Sequence, residues 1–302
     1  MYKLFTILLL LFGINAYASD VGHSQVVTTE NWDIVLRTVR DSSILPQETF
    51  VFFDVNDVLI TPMDNILSKA HRKQAINNIK KIHHVSTSTK KTGSHPVLED
   101  PLEVTQTFMD IWSKTEINVV DAKGPDAIKA MQDGGYQVMG LTNGITGKIG
   151  TFTDLAAYRN EELYRLGYHF QALSEYDGTL LGHNPRTGTG APQFKDGIIY
   201  TAGLDKGPIL ETFVQNTHLS PKRIVFVDDK VINLDSVAKF CKQQGIEFVG
   251  IHYTALNKPQ ELTRSAQHVA SCQFSHYHRF GQWLSDANIR QTICYKHALG
   301  NV

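Results

Sequence analysis

"VFFDVNDVLI", residues 51–60, decides the fold. An unbroken apolar run ends in Asp54, and Asn56 and Asp57 follow before the chain turns apolar again. A run with no polar alternation suits a strand buried on both faces, as in a sheet covered by helices on each side. Three other stretches share the pattern: "YQVMGLTNG" from Tyr136, "RIVFVDD" from Arg223 and "IEFVGIHY" from Ile246. Each is preceded by a segment of helical character, respectively "GPDAIKAMQDGG", "GPILETFVQNTHLSP" and "NLDSVAKFCKQQG", with Gly or Pro at the ends. The alternation predicts an α/β protein with a three-layer α/β/α arrangement around a mostly parallel sheet. Ligands of such sheets sit at the carboxyl ends of the strands.

The rest of the composition narrows the partners. The 302 residues are 42% hydrophobic and 20% charged, enough for one large core or a core with a smaller lobe. A net charge of -1 supplies no basic field, so nucleic acid is excluded as an expected partner. At the N-terminus Lys3 precedes an apolar run from Leu4 to Ile14, followed by Ala16-Tyr17-Ala18. This is the layout of a secretory signal spanning residues 1–18, with cleavage expected before Ser19 and no membrane span thereafter. Export, to the periplasm or beyond, places Cys241, Cys272 and Cys294 where disulfides are permitted. Cys241 shares a helical face with Val237 and Phe240 and reads as a buried thiol. Cys272 and Cys294 are a candidate pair whose separation in space the sequence leaves open.

Two segments interrupt the alternation. Residues 61–118 are mainly helical, broken by the basic polar stretch "STSTKKTGSH", and suit an inserted lobe over the strand ends. Residues 174–203 carry Asp177-Gly178 and Asp196-Gly197, the chemistry of hairpin turns. The expected organisation is therefore a core of 19–60 and 119–260, a lobe at 61–118, a hairpin insertion at 174–203 and a C-terminal extension at 261–302. "TENWDIVLRTVRD", ahead of the first strand, is expected to form a helix capped by Thr28 or Thr29.

The strand ends present, in chain order, Asp54 and Asn56, then Thr142 and Asn143, then Lys206 ahead of a helix, then Asp228 and Asp229. These groups form a working set for phosphate. A carboxylate attacks phosphorus, a hydroxyl and an ammonium hold phosphoryl oxygens, and paired carboxylates bind a divalent ion.

In order, spacing and strand context, "VFFDVNDVLI", "VMGLTNG", "GLDKGPIL" and "IVFVDDKVINL" resemble the haloacid dehalogenase (HAD) superfamily of aspartyl-phosphate phosphohydrolases. "DDKVINLDSV" and "GIIYTAGLDKG" are most similar to a group of exported bacterial HAD-like proteins. The resemblance covers residues 48–255 and implies a Rossmann-like core with a mainly helical cap insertion. It implies Asp54 as nucleophile and metal ligand, and the Asn56 backbone carbonyl as a second ligand. Thr142, Asn143 and Lys206 would bind the phosphoryl group and Asp228 would ligate Mg²⁺, with Asp229 and Asn233 supporting it. The implied partner is a phosphorylated small molecule or a phosphoprotein. The pattern departs at Asn56, where the family's phosphatases carry an aspartate that protonates the leaving group; an amide cannot shuttle that proton. The alternative is therefore a catalytically silent protein that keeps the pocket for phosphate, metal or a protein partner.

Other motifs are read without chemistry. Asp57, three places after Asp54, is expected to point away from it in an extended segment. Arg72, Lys73, Lys80, Lys81, Lys90 and Lys91 read as a solvated surface rather than a steering patch. "SEYDGTLLG" from Ser174 contains a D-G-T-L sequence but lacks an apolar strand before it, and reads as a turn. His276 and His278 of "HYH" would face one way from a strand, yet no further metal-binding motif joins them.

Overall fold

The computed structural model describes residues 24–84, 102–170, 173–184, 189–257, 261–292 and 294. Its strands are β1 (Ser24–Thr29), β2 (Thr49–Phe53), β3 (Ile60–Pro62), β4 (Ile117–Val119), β5 (Gln137–Thr142), β6 (Gln193–Lys195), β7 (Ile198–Tyr200), β8 (Arg223–Asp228) and β9 (Glu247–Tyr253). The helices are α1 (Trp32–Arg40), α2 (Arg72–Ile82), α3 (Leu102–Ser113), α4 (Gly124–Asp133), α5 (Leu155–Arg165), α6 (Lys206–Thr217), α7 (Val231–Gln244), α8 (Arg264–Phe280) and α9 (Asp286–Ile289).

Seven strands form one sheet in the order β1-β9-β8-β2-β5-β7-β6. Every neighbouring pair in it is parallel except β6 with β7. The chain is thus a mixed α/β protein with a mostly parallel, Rossmann-like sheet flanked by helices, as the alternation predicts. On β2 the side chains alternate between two cores: Val51 and Phe53 enter one cluster, Phe50 and Phe52 the other. That double burial explains the unbroken apolar run. From β2 the chain proceeds outward in one direction through β5 and in the other through β8. The carboxyl end of β2, where Asp54 lies, is therefore a topological switch point, where such sheets leave a crevice.

A third apolar cluster joins Ala75, Ile76 and Ile79 of α2 to Phe108 and Trp112 of α3, and adds Phe274 of α8 and Trp283. The helical stretch between β3 and β4 thus packs against the C-terminal segment. At its base β3 and β4 form a separate antiparallel pair. The Asp196-Gly197 turn joins β6 to β7, and β7 continues the main sheet beside β5.

Several details differ from expectation. β1 is an edge strand that the mixed sequence SQVVTT does not announce. Helix α1 is capped by Asn31, whose Oδ1 accepts from the Asp33 amide at 2.8 Å, because Thr29 completes β1 and accepts instead from the Asn31 amide. His276 and His278 lie on α8, not on a strand, so they do not face the same way. Lys80 is 1% exposed on the buried side of α2 and is no part of a solvated surface. Cys272 and Cys294 are joined by a disulfide, and Cys241 is a buried free thiol. The signal segment 1–18 and the stretch "STSTKKTGSH", with Lys90 and Lys91, lie outside the described residues. Among the described residues no helix is long and apolar enough to cross a membrane.

Candidate functional site

β2 delivers Asp54 to the crevice and the backbone pins it there: its amide donates to the Val227 carbonyl of β8 at 2.9 Å. Its Oδ1 accepts from the Val55 amide at 2.8 Å and lies 2.9 Å from Lys206 Nζ. Lys206 opens α6 and reaches across to Asp228 Oδ2 at 2.6 Å. The ammonium thus bridges carboxylates from two adjacent strands. α6 can come this close because Gly207 lies against α7: a Cβ there would stand 2.2 Å from the Ser236 carbonyl oxygen. The Gly207 amide donates to Ser236 Oγ at 3.0 Å.

Asp228, at the end of β8, is held on all sides. Asn233 Nδ2 donates to both its oxygens at 3.0 Å, and the Lys230 amide donates to Oδ1 at 2.8 Å. Asp229 lies beside it, with Lys69 Nζ 2.7 Å from Oδ2. That contact is an ion pair without hydrogen-bond alignment, and both Asp229 oxygens are buried with no hydrogen-bond partner among the described residues.

Oxygens of Asp54, Asp228 and Asp229 lie within 4.8 Å of one another, and all three residues are buried. Hard carboxylate oxygens in this arrangement suit a divalent cation such as Mg²⁺ or Ca²⁺, and Asp229 Oδ1 accepts no hydrogen bond among the described residues that would compete for it. Burial, with Asp54 and Asp229 alongside, pushes the Asp228 carboxyl up to about 7 despite Lys206. Burial works to lower the Lys206 ammonium, but Asp228 and Asp54 outweigh it and hold that group above its ordinary value. Asp54, Asp228 and Asp229 share this dry site with Lys206 and Lys69, and Asp57 lies close by with Arg72 and Lys230.

Thr142 and Asn143 close the end of β5 and are both buried. Asn143 Oδ1 accepts from Thr201 Oγ1 at 3.2 Å. The Thr142 side chain makes no hydrogen bond among the described residues, and the Thr142 carbonyl accepts from the Thr201 amide at 2.9 Å. Asn56 and Asn143 line one cavity together with Gly144 and Arg72. Asn56 Oδ1 is buried there without a partner, and no described group donates to the Asn56 carbonyl. Asp54, Lys206, Asp228, Asp229 and Asn233 thus form one contiguous cluster, with Asn56 and Asn143 on the adjoining cavity and Thr142 next in the chain to that lining.

Behind these groups lie ion pairs that the sequence does not announce. Asp57 has φ 69°, so the segment is not extended there. Its carboxylate pairs bidentately with Arg72 of α2, at 2.7 and 2.9 Å. Burial would raise that carboxyl, but Arg72 holds it below its ordinary value. Arg72 is therefore no surface cation, and with Lys69 it ties the helical segment to the two acidic loops. The one signal available was the clustering of Lys69, Arg72 and Lys73 shortly after Asp57, which composition alone does not distinguish from a solvated face. Asp177 of the D-G-T-L sequence accepts from the Asp196 amide at 2.6 Å, which links it to the turn between β6 and β7.

Fold and site together define an α/β protein with a buried acidic cluster, able to hold a divalent cation, at the carboxyl edge of a parallel sheet. The chain belongs to the family described as "Protein of unknown function (DUF2608)", matched over residues 28–290. It is 25% identical over 284 residues to an uncharacterised protein of Rickettsia prowazekii (strain Madrid E), covering 93% of this chain and 94% of that one. A protein of Chlamydia trachomatis named "Putative outer membrane protein" is 31% identical over 62 residues, 20% of this chain and 24% of the other. Among solved structures, a haloacid dehalogenase-like family hydrolase of Streptococcus pneumoniae aligns with a TM-score of 0.37 and 12% identity, over 67% of this chain and 93% of that one.

Proposed function

We propose that this protein is an exported, Mg²⁺-dependent phosphohydrolase of the HAD-like type, acting on a phosphorylated small molecule or phosphoprotein through an aspartyl-phosphate at Asp54. The observation that carries the reading is the buried bridge from Asp54 through Lys206 to Asp228 at the switch point of the sheet. Support for export is the leader-like N-terminal sequence and the naming of the chlamydial relative.

A carboxylate oxygen of Asp54 attacks phosphorus, and the bond from phosphorus to the ester oxygen breaks with its electron pair passing to the leaving group. Water then cleaves the aspartyl-phosphate and releases inorganic phosphate. Lys206 holds the nucleophile in place and offers positive charge to a phosphoryl oxygen, while Thr142 and Asn143 donate from the end of β5. Asp54, Asp228 and the Asn56 carbonyl would hold the ion, with Asp229 and Asn233 beside it. Bound there, the ion supplies positive charge that offsets repulsion between the carboxylate and the phosphoryl group. Asn56 cannot protonate the leaving group, so turnover depends on the leaving group's own stability.

The test is Mg²⁺-dependent phosphate release from a panel that includes acetyl phosphate and activated aryl phosphates. Asp54→Asn is expected to abolish release, and equal release by the variant overturns the reading. Asn56 also favours a second reading, a silent protein that binds phosphate and metal without turnover. Under it the chain would bind Mg²⁺ and phosphate but form no beryllofluoride adduct at Asp54.

A further inference from the structure

We infer that the site, read as a phosphohydrolase, is built for small aryl phosphate monoesters, in which the phosphate hangs from a single aromatic ring. The inference rests on that reading and narrows its substrate.

Two independent features converge on this class. The first is the cavity that Asn56, Arg72 and Asn143 line. Arg159 lines it as well, and the rest of its wall is apolar, with Phe108 and Trp112 of α3, Tyr158 of α5 and Tyr200 as its aromatic members beside Met109, Ile145 and Leu155. Phe108 and Trp112 are tilted against each other with centroids 5.8 Å apart. The guanidiniums of Arg72 and Arg159 lie 5.4 and 5.1 Å from the Trp112 ring. Aromatic walls of this kind favour a flat ring by stacking and edge contacts. A polyhydroxylated leaving group would instead leave its hydroxyls facing carbon. At about 70 Å³ the cavity is roughly half of the ~150 Å³ that encloses benzene. It therefore takes one ring partly inserted.

The second feature is Asn56 itself. With an amide where a proton donor would stand, the ester oxygen departs as an anion. A phenolate, whose conjugate acid has a pKa of about 10 as in tyrosine, departs unaided far more readily than an alkoxide. The wall chemistry and the missing proton donor thus select the same leaving group.

The experiment uses the full purified chain with Mg²⁺ and compares kcat/KM for phenyl phosphate, glycerol phosphate and acetyl phosphate. Titration calorimetry on Asp54→Asn measures binding of phenyl phosphate, glycerol phosphate and inorganic phosphate. Phenyl phosphate is expected to be preferred over glycerol phosphate by about 10² or more in kcat/KM, and to bind more tightly than inorganic phosphate. Phe108→Leu and the half-buried Tyr158→Ala are each expected to raise KM for phenyl phosphate by roughly tenfold, and by less for acetyl phosphate. Folding of each variant is checked by circular dichroism. Asp54-dependent turnover with no preference for the aryl ester, or equal KM effects on both esters, overturns the aryl assignment and leaves phosphoryl transfer standing. Preferential binding of phenyl phosphate without any turnover supports the cavity's selectivity and overturns hydrolysis. Absence of both binding and turnover overturns both.

Discussion

At Asn56 a single atom type separates a carboxylate that can carry a proton from an amide that cannot. Asn56→Asp is expected to raise kcat toward alkyl phosphates by ~10²–10⁴-fold while changing acyl phosphate turnover far less. An equal gain on both classes would place the benefit in hydrolysis of the shared aspartyl-phosphate and not in protonation of the leaving group. Asp154 offers a test away from the site. It caps α5, accepting from the Ala156 and Ala157 amides at 2.9 and 3.3 Å, and pairs with Lys195 at 2.6 Å. Burial alone would raise its carboxyl, but Lys195 and the two amides hold it below its ordinary value. A depressed carboxylate contributes stability that is full above the ordinary value of 3.8 and is lost as pH falls through the lowered one. Asp154→Ala should therefore cost about 1 kcal/mol at pH 7, with the difference from wild type shrinking below pH 4 in denaturant titrations. Asp54, Lys206 and Asp228 were legible in the sequence because each stands at the end of an apolar strand or the head of a helix. Asp57 was not, since its left-handed backbone turns it toward a partner 15 residues away.

Among the elements, α2 matters most to the site because its first residue is Arg72. Asp57 is 2% exposed, so removing its partner strands a buried anion. Arg72→Met is expected to destabilise the fold by about 3 kcal/mol, and adding Asp57→Asn should recover a good part of that. Urea unfolding of the two variants checks both. If the double variant is no more stable than the single one, the pair is not what Arg72 is there for. The long central strands were legible because burial on both faces forces a continuous apolar run. β1 lies at the edge of the sheet formed by the described residues and carries a mixed sequence, while β3 and β4 have only three residues each. None of these three produces enough periodicity to be read.

Over the whole molecule, the C-terminal segment closes the structure. Asp64 accepts from Trp283 Nε1 at 2.7 Å and from the Asp286 amide at 2.8 Å, and the Cys272–Cys294 disulfide ties the end of the chain to α8. Replacing both cysteines by serine should lower stability by about 3 kcal/mol for a loop of 22 residues. Chemical reduction of the wild type should reproduce the loss; a reduced protein with an unchanged melting temperature would refute it. The disulfide was an open question in the sequence, because pairing needs a distance that only the packing of α8 supplies. The shared apolar cluster also dictates an order of assembly. Phe274 and Trp283 complete the core beneath α3, so a growing chain leaves that helix half-dressed until α8 and the segment carrying Trp283 have been made. The aromatic wall beside Asn56 then sets only after residues more than 150 positions later have arrived, and a nascent chain is expected to need shelter from aggregation until it does.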